Sequence, residues 1–281
     1  MNKLHPLKIN SRKLNWHNNE PHSLDHDDRF FQANVIDETS EVFIEANNLI
    51  ERWRLKESNN FKIAELGFGF GLNFLITAKY WHQHSQNNEK WLDYISIDCF
   101  PLNIEDFKKA IANYPQLKEF SDEFIDHFPV ECNGFTRIEL PKFKIRLTLI
   151  VNNAEEALKS LIGNINNKFD AWYLDGFDPN KNLSMWSPEI FKNIYLLSNR
   201  NATFGTYTAA GFVRRGLQEN SFDVVKVKGF GNKRHRLQGV FNKEDEDLKL
   251  KIVPKKIAII GSGIAGTCLA YKLANQNITV D

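Results

Sequence analysis

Cysteine is scarce in this 281-residue sequence: three residues, Cys99, Cys132 and Cys268, widely separated and odd in number. Such spacing suits neither a disulfide framework nor a zinc site, so isolated reduced thiols are expected. The histidines of the leader, His5, His17, His22 and His26, are equally scattered, and no metal is expected. Long apolar runs are missing too. IAIIGSGIAG falls far short of the ~20 residues a membrane helix requires, and the start MNKLHPLKIN has no hydrophobic segment for a signal peptide. A cytoplasmic chain with no membrane partner is the expectation. Nor does one sign of charge dominate: 36 Lys and Arg against 35 Asp and Glu leave a net charge of +1. That balance argues against non-specific coating of nucleic acid but leaves a local basic patch open. No repeat or low-complexity tract is present.

What is there is enough to fill a sizeable core, with 42% hydrophobic and 12% aromatic residues. Residues 1–60 read as a polar, acid-rich appendage that ends in a helix over ETSEVFIEANNLIERWRL, whose apolar residues recur at helical spacing. From Phe61 strands and helices alternate. FKIAEL, YISID, DAWYLD and ATFGTYT read as strands; GLNFLITAKYW, residues 103–114 and 116–127, AEEALKSLI, SPEIFKNIYLLS and AGFVRRGLQEN read as helices. FTRIELPKFKIRLTLIV predicts a hairpin turning at Pro141, and FDVVKVKG with RLQGVF a closing antiparallel pair. The alternation predicts an α/β domain over residues 61–242, a mainly parallel sheet covered on both faces, with ligands beyond the carboxyl ends of its strands. The charged, proline-ended stretch 243–255 reads as a linker. Residues 256–281 read as a strand, a G-x-G-x-x-G turn (Gly261, Gly263, Gly266) and an apolar helix, the opening of a dinucleotide-binding domain.

The turn AELGFGFGLNF is different. It places Glu65 at a strand end and Gly67, Gly69 and Gly71 at alternate positions before a helix, whereas the dinucleotide fingerprint has its third glycine one residue later. A carboxylate before the first glycine would repel a pyrophosphate and attract the ammonium and sulfonium of S-adenosylmethionine. The glycines let backbone approach the cofactor closely, and Phe68 and Asn73 belong to the same turn. Asp98, ending the next strand, is placed to accept from ribose hydroxyls. At the end of the hairpin strand, Asn152 or Asn153 offers an amide oxygen to the adenine amino group. A tight βα turn with a surface Asp is the alternative account.

DAWYLDGFDPNKN ends a buried strand in Asp175 and turns on Gly176, with Phe177, Asp178 and Pro179 following. Asp178-Pro179 is turn chemistry, whereas Asp175 stands where a methyl acceptor should enter.

ELGFGFGLNF, DAWYLDGFDPNKN with Met185-Trp186 behind it, TYTAAGFVRRGLQENSF and KGFGNKR occur together and in order. The chain thereby resembles the methyltransferase half of the bifunctional enzymes that make 5-methylaminomethyl-2-thiouridine in tRNA. The resemblance implies a Rossmann-like methyltransferase fold that uses S-adenosylmethionine to methylate the aminomethyl group of the wobble uridine in a tRNA anticodon loop. It implies Asp175 as the acid nearest the acceptor amine, Glu65 with the three glycines as the cofactor turn, Asp98 on the ribose and Phe100 on the adenine. Where the family usually has Glu, and Gly-Asp before the hairpin's helix, this chain has Asp98 and Val-Asn. The family segments DDRFF and DETSEVFIEAN imply that Phe31, Glu38 and Thr39, with Phe177, line the acceptor pocket; helix capping also accounts for Thr39. The final G-x-G-x-x-G is similar to the first turn of the family's FAD oxidoreductase half. FAD is expected only in the complete family protein, not on this truncated beginning.

Cations gather late in the sequence. Arg214 and Arg215 lie on one helix, and Lys226, Lys228, Lys233, Arg234, His235 and Arg236 follow, opposed by Glu219 and Asp223. They suit a phosphate backbone, a solvated basic face being the alternative, while Phe212 and Phe230 read as core, with stacking on unpaired loop bases as the alternative. The competing readings are methylation of another amine and a non-catalytic RNA-binding fragment; a flavoprotein is the weakest.

Overall fold

The computed structural model describes residues 12–17, 20–31, 34–55, 60–85, 90–128, 134–162, 168–242, 256–274 and 279–280. His5, Cys132 and the expected linker at 243–255 lie outside them. The chain divides into two compact units, Met1–Glu244 and Asp245–Asp281.

The first unit opens with short strands β1 (Leu14–His17), β2 (Glu20–Ser23) and β3 (Asp28–Arg29), paired antiparallel as a small sheet. Their polar, two- to four-residue segments give no alternating apolar signal, and the sequence reading has no strand there. The single helix expected over 38–55 is instead broken. Helix α1 (Val35–Thr39) runs into a π-helical turn, Ser40–Glu45, and α2 (Leu49–Arg54) starts after Asn48, which sits at φ 48°. Asn is among the few residues that enter this left-handed region readily. Its neighbour Asn47 is fully buried: Nδ2 donates to the Phe43 carbonyl at 2.9 Å and Oδ1 accepts from Thr203 Oγ1 at 2.6 Å. Tertiary hydrogen bonding thus interrupts a segment whose periodicity alone favours a continuous helix.

Then come β4 (Asn60–Leu66), α3 (Leu72–His84), β5 (Trp91–Asp98), α4 (Ile104–Ile111), α5 (Lys118–His127), β6 (Gly134–Leu140) and β7 (Ile145–Val151). They are followed by α6 (Ala154–Leu161), β8 (Phe169–Leu174), α7 (Pro188–Leu197), β9 (Ser198–Thr206), α8 (Gly211–Glu219), β10 (Phe222–Lys228) and β11 (His235–Phe241). The hairpin turns through a 3-10 turn at Pro141–Phe143, with Lys144 at φ 53°. Ser187 caps α7, accepting from the Ile190 N–H, with Pro188 at the first helical position.

The eight strands form one sheet in the order β10-β11-β9-β8-β4-β5-β7-β6. Strands β9, β8, β4, β5 and β7 are mutually parallel, while β6, β11 and β10 add antiparallel edges. Along β8 the side chains alternate between two cores: Ala171 and Tyr173 join α1–α5 on one face, Trp172 and Leu174 join α6–α8 on the other. The order runs outward in opposite directions from β4 and β8. Their carboxyl ends flank the switch point at which doubly wound sheets open a crevice.

The second unit has β12 (Lys256–Ile257) paired parallel with β13 (Thr279–Val280), and α9 (Ile264–Ala274) between them. No helix among the described residues is long and apolar enough to cross a membrane.

Candidate active site

A cavity of about 640 Å³ lies over the switch point. Its wall takes Gly67 to Phe70, Leu72 and Asn73 from the turn after β4 and the start of α3, Asp98 and Phe100 after β5, Asn152 and Asn153 after β7, and Asp175 to Asp178 after β8. The amino-terminal segment closes it with Arg12, His26, Asp28, Phe30, Phe31, Glu38 and Thr39, and Tyr207 and Lys233 complete the wall.

The glycine turn is built for close approach. Gly67 sits at φ 91°, and a Cβ there would lie 3.2 Å from the Gly176 Cα, so the turns after β4 and β8 meet without side chains between them. Gly71 is at φ 71°, with the Phe68 ring 2.8 Å from where its Cβ would stand.

Asp98 holds this turn in place. Its Oδ2 accepts from the Gly69 N–H at 3.0 Å and its Oδ1 from the Phe100 N–H at 3.0 Å. Arg12 pairs with Oδ2 at 2.6 Å and donates to the Gly69 carbonyl. Its guanidinium lies 5.5 Å from the centres of both the Phe30 and the Phe70 rings. The sequence reading missed Arg12, which no motif marks out within its polar leader.

Asn152 and Asn153 are exposed on the wall, and both amide oxygens serve the local backbone. Oδ1 of Asn152 accepts from the Asn153 N–H at 2.8 Å, and Oδ1 of Asn153 caps α6 through the Glu155 N–H at 2.9 Å. Phe100 is half-buried on the same wall.

Asp175 lines the cavity beside the turn. Its Oδ1 accepts from the Gly176 N–H at 2.8 Å and its Oδ2 from Asn73 Nδ2 at 2.8 Å. Loss of solvent pushes its carboxyl up to about 6, against the two hydrogen bonds, with Glu38 also raising it and Lys233 lowering it.

Glu65 departs from expectation. It is fully buried and absent from the cavity wall, its oxygens taken by Ser96 Oγ at 2.6 Å and Asn73 Nδ2 at 3.0 Å. Burial pushes its carboxyl up to about 8, which favours the neutral acid at pH 7 and removes the attraction for a sulfonium inferred from sequence.

On the opposite wall Phe177 stacks on His26, centroids 4.3 Å apart, and meets Phe30 edge-on at 5.0 Å. Phe31 contacts Phe70 and Tyr114 edge-on. Lys233 pairs with Glu38 at 3.5 Å and lies 4.0 Å over the Tyr207 ring. Thr39 caps no helix; its hydroxyl donates to Asn73 Oδ1 at 2.7 Å.

The basic residues separate. Arg214, Arg215, Lys226, Lys228 and Arg234 are exposed and outside the cavity wall. Arg236 is 7% exposed, hydrogen-bonded to Gln238 at 2.8 Å and paired with Glu41 at 3.5 Å, so it is not free for a phosphate as expected. Phe212 and Phe230 pack against the cores. Among the described residues no His, Cys, Asp and Glu group could hold a metal ion.

Residues 115–242 match the family model described as an S-adenosyl-L-methionine-dependent methyltransferase. Nearly the whole chain, 98% of it, is 38% identical to part of the tRNA 5-methylaminomethyl-2-thiouridine biosynthesis bifunctional protein MnmC of Marinomonas sp.. The proteins of that name from Methylobacillus flagellatus and Legionella pneumophila strain Lens are 35% and 36% identical over 95% and 96% of the chain. The chain spans only 40% to 44% of the length of these relatives. Among solved structures, MNMC2 from Aquifex aeolicus superposes with a TM-score of 0.64 at 18% identity, covering 85% of this chain and 72% of that one. Residues 115–242 thus carry the family model of S-adenosyl-L-methionine-dependent methyltransferases on a matching fold, and the chain is similar along almost its full length to part of the MnmC bifunctional proteins.

Proposed function

We propose that the chain transfers a methyl group from S-adenosylmethionine to the aminomethyl nitrogen of 5-aminomethyl-2-thiouridine at the wobble position of tRNA. The names of its relatives supply the substrate. The observation that carries the chemistry is the Asp175 carboxylate, held by Asn73 Nδ2 and the Gly176 N–H on the cavity wall where the turns after β4 and β8 meet. A tRNA substrate also argues for a cytoplasmic site of action.

The residues present fit the cofactor. Gly67 and Gly69 put bare backbone on the cavity wall, Asp98 offers acceptor lone pairs for ribose hydroxyls, and Phe100 gives the adenine an aromatic face. Asn152, rather than the helix-capping Asn153, is the nearer candidate for the adenine amino group. When bound, S-adenosylmethionine supplies an electrophilic methyl on a sulfonium. Everything else falls to the protein.

An alkylamine with a pKa near 10.4 requires roughly 4 to 5 kcal/mol to lose its proton at pH 7. Transfer of that proton to a carboxylate near pKa 6 remains uphill by about 6 kcal/mol, so Asp175 serves first as an acceptor that aims the lone pair. At pH 7 it is mostly ionised and able to do so. Phe31 and Phe177 shape the acceptor side, Glu38 and Lys233 flank it, and the exposed Arg214, Arg215 and Arg234 take the tRNA phosphates.

The test is a labelled-methyl assay on tRNA bearing 5-aminomethyl-2-thiouridine. Label should enter that nucleoside, and Asp175→Asn should reduce turnover ~100-fold or more. Label appearing only in small amines, or turnover unchanged in Asp175→Asn across pH, rejects the reading.

A further inference from the structure

Both polar hydrogens of the Asn73 side chain are committed to acids from two different strands. Nδ2 donates to Glu65 Oε1 at 3.0 Å, from β4, and to Asp175 Oδ2 at 2.8 Å, from the end of β8. A primary amide carries two N–H donors, and here one goes to each carboxyl. The oxygen is engaged as well: Oδ1 accepts from Thr39 Oγ1 at 2.7 Å, on α1. The Asp175 contact fixes the sense of the amide, because the flipped arrangement would turn an acceptor oxygen toward an ionised carboxylate, and the Thr39 hydroxyl then donates to the oxygen. Glu65 is itself immobilised by Ser96 Oγ at 2.6 Å and is fully buried. Asn73 lines the cavity, yet no N–H remains on it for a cofactor.

We propose that Asn73 is a positioning residue: anchored by Thr39 and the buried Glu65, it holds the Asp175 carboxylate charged and aimed at the acceptor amine, and makes no essential cofactor contact. The proposal rests on the reading of Asp175 given under Proposed function. An N–H donated to a carboxylate favours its charged form, so losing Asn73 should raise the pKa of Asp175. Besides Glu65, the charged or titratable groups that act on Asp175 are Glu38 of α1, Lys233 between β10 and β11, Tyr207 after β9 and Tyr94 of β5, with Asp28 and Asp178 beyond Tyr207. Substituting Asn73 leaves all of them in place, so a changed titration reports the amide.

The experiment follows the carboxyl resonance of Asp175 by NMR in aspartate-labelled protein through a pH series, for wild type, Asn73→Ala, Thr39→Val and Thr39→Ser. Cofactor affinity is measured by calorimetry and methyl transfer to tRNA on the same samples. In Asn73→Ala the Asp175 titration should move to higher pH, the acid limb of the rate should move with it, and kcat should fall ~100-fold with cofactor affinity unchanged. Thr39→Val should move both in the same direction by less, and Thr39→Ser, which keeps the hydroxyl, should restore wild-type values. If Asn73→Ala fails to fold, the two Thr39 variants decide the matter by the same readouts. An unmoved Asp175 titration with weakened cofactor binding overturns the proposal and makes Asn73 a cofactor contact. A wild type that methylates no tRNA, while Asn73→Ala still moves the titration, rejects the substrate and supports the positioning role.

Discussion

Arg12 pairs with the carboxylate of Asp98 that is proposed to hold the cofactor ribose. The guanidinium stands 2.6 Å from Oδ2, and the Gly69 N–H already occupies another direction around it. A carboxylate oxygen has few directions from which to accept, so a ribose hydroxyl proposed to bind at Oδ2 competes with Arg12. Arg12→Ala should therefore tighten S-adenosylmethionine binding several-fold in calorimetry; weaker binding would instead place Arg12 among the groups that grip the cofactor. Glu65 makes a separate prediction, in stability. Burial raises its carboxyl from 4.5 to about 8, so between those values the folded chain binds a proton that the unfolded chain has released. The stability this contributes is fully present below pH 4.5 and is lost as pH rises through about 8. Glu65→Gln cannot ionise, so its melting temperature should fall less steeply than that of wild type between about pH 5 and pH 8. Parallel slopes would mean that Glu65 is charged throughout.

At the scale of elements, the amino-terminal segment is held to the sheet by backbone proximity rather than by a motif. A Cβ on Gly205 in β9 would lie 2.1 Å from the Val42 carbonyl oxygen in the π-helical turn. Backbone cannot yield as a flexible side chain does, so Gly205→Ala should destabilise the first unit by about 1–3 kcal/mol or more, read from denaturant unfolding. A second prediction concerns α8. Its Arg214 and Arg215 are exposed, and replacing both by Ala should weaken tRNA binding and reduce the slope of log K against log salt by about 2. An unchanged slope would move the RNA surface elsewhere. The contrast between β9 and α8 also explains what the sequence could disclose. Strands β4, β5, β7 and β8 are apolar runs ended by an acid, an amide or a glycine turn, because strands buried on both faces must be apolar and ligand groups cluster at their tips. Glu65, Asp98, Asn152 and Asp175 were thus legible as positions. Their surroundings were not: the burial of Glu65 depends on Ser96 and Asn73, and the loss of Arg236 to the interior depends on Glu41, nearly two hundred positions away in the chain. None of these three partners is fixed by local periodicity. The break at Asn48 and the small sheet β1–β3 escaped for the same reason, since tertiary contacts overrode a helical pattern in one and a polar sequence masked short strands in the other.

At the scale of the whole chain, every group that lines the cavity belongs to the first unit, Met1–Glu244. Among its described residues the second unit has two strands of two residues each and one helix, with Ile260, Ile264, Leu269 and Tyr271 between 50% and 102% exposed. A doubly wound domain covers such groups with further strands and helices, and two short strands with one helix are below what holds a sheet together unaided. Gly261 at φ 112° has the left-handed backbone of a dinucleotide turn, and the strand pairing β12 among the described residues is Thr279–Val280. Two results are therefore expected of the 281-residue chain. Titration with FAD should give no bound flavin, and amides of residues 256–274 should exchange with solvent far faster than those of β4, β5 and β8, whose hydrogen bonds lie inside the eight-stranded sheet. Ending the chain after Glu244 should then leave cofactor affinity and methyl transfer at wild-type levels. Loss of either on truncation, or stoichiometric flavin on the intact chain, would mean that the second unit is ordered by contacts beyond its own strands and takes part in the chemistry.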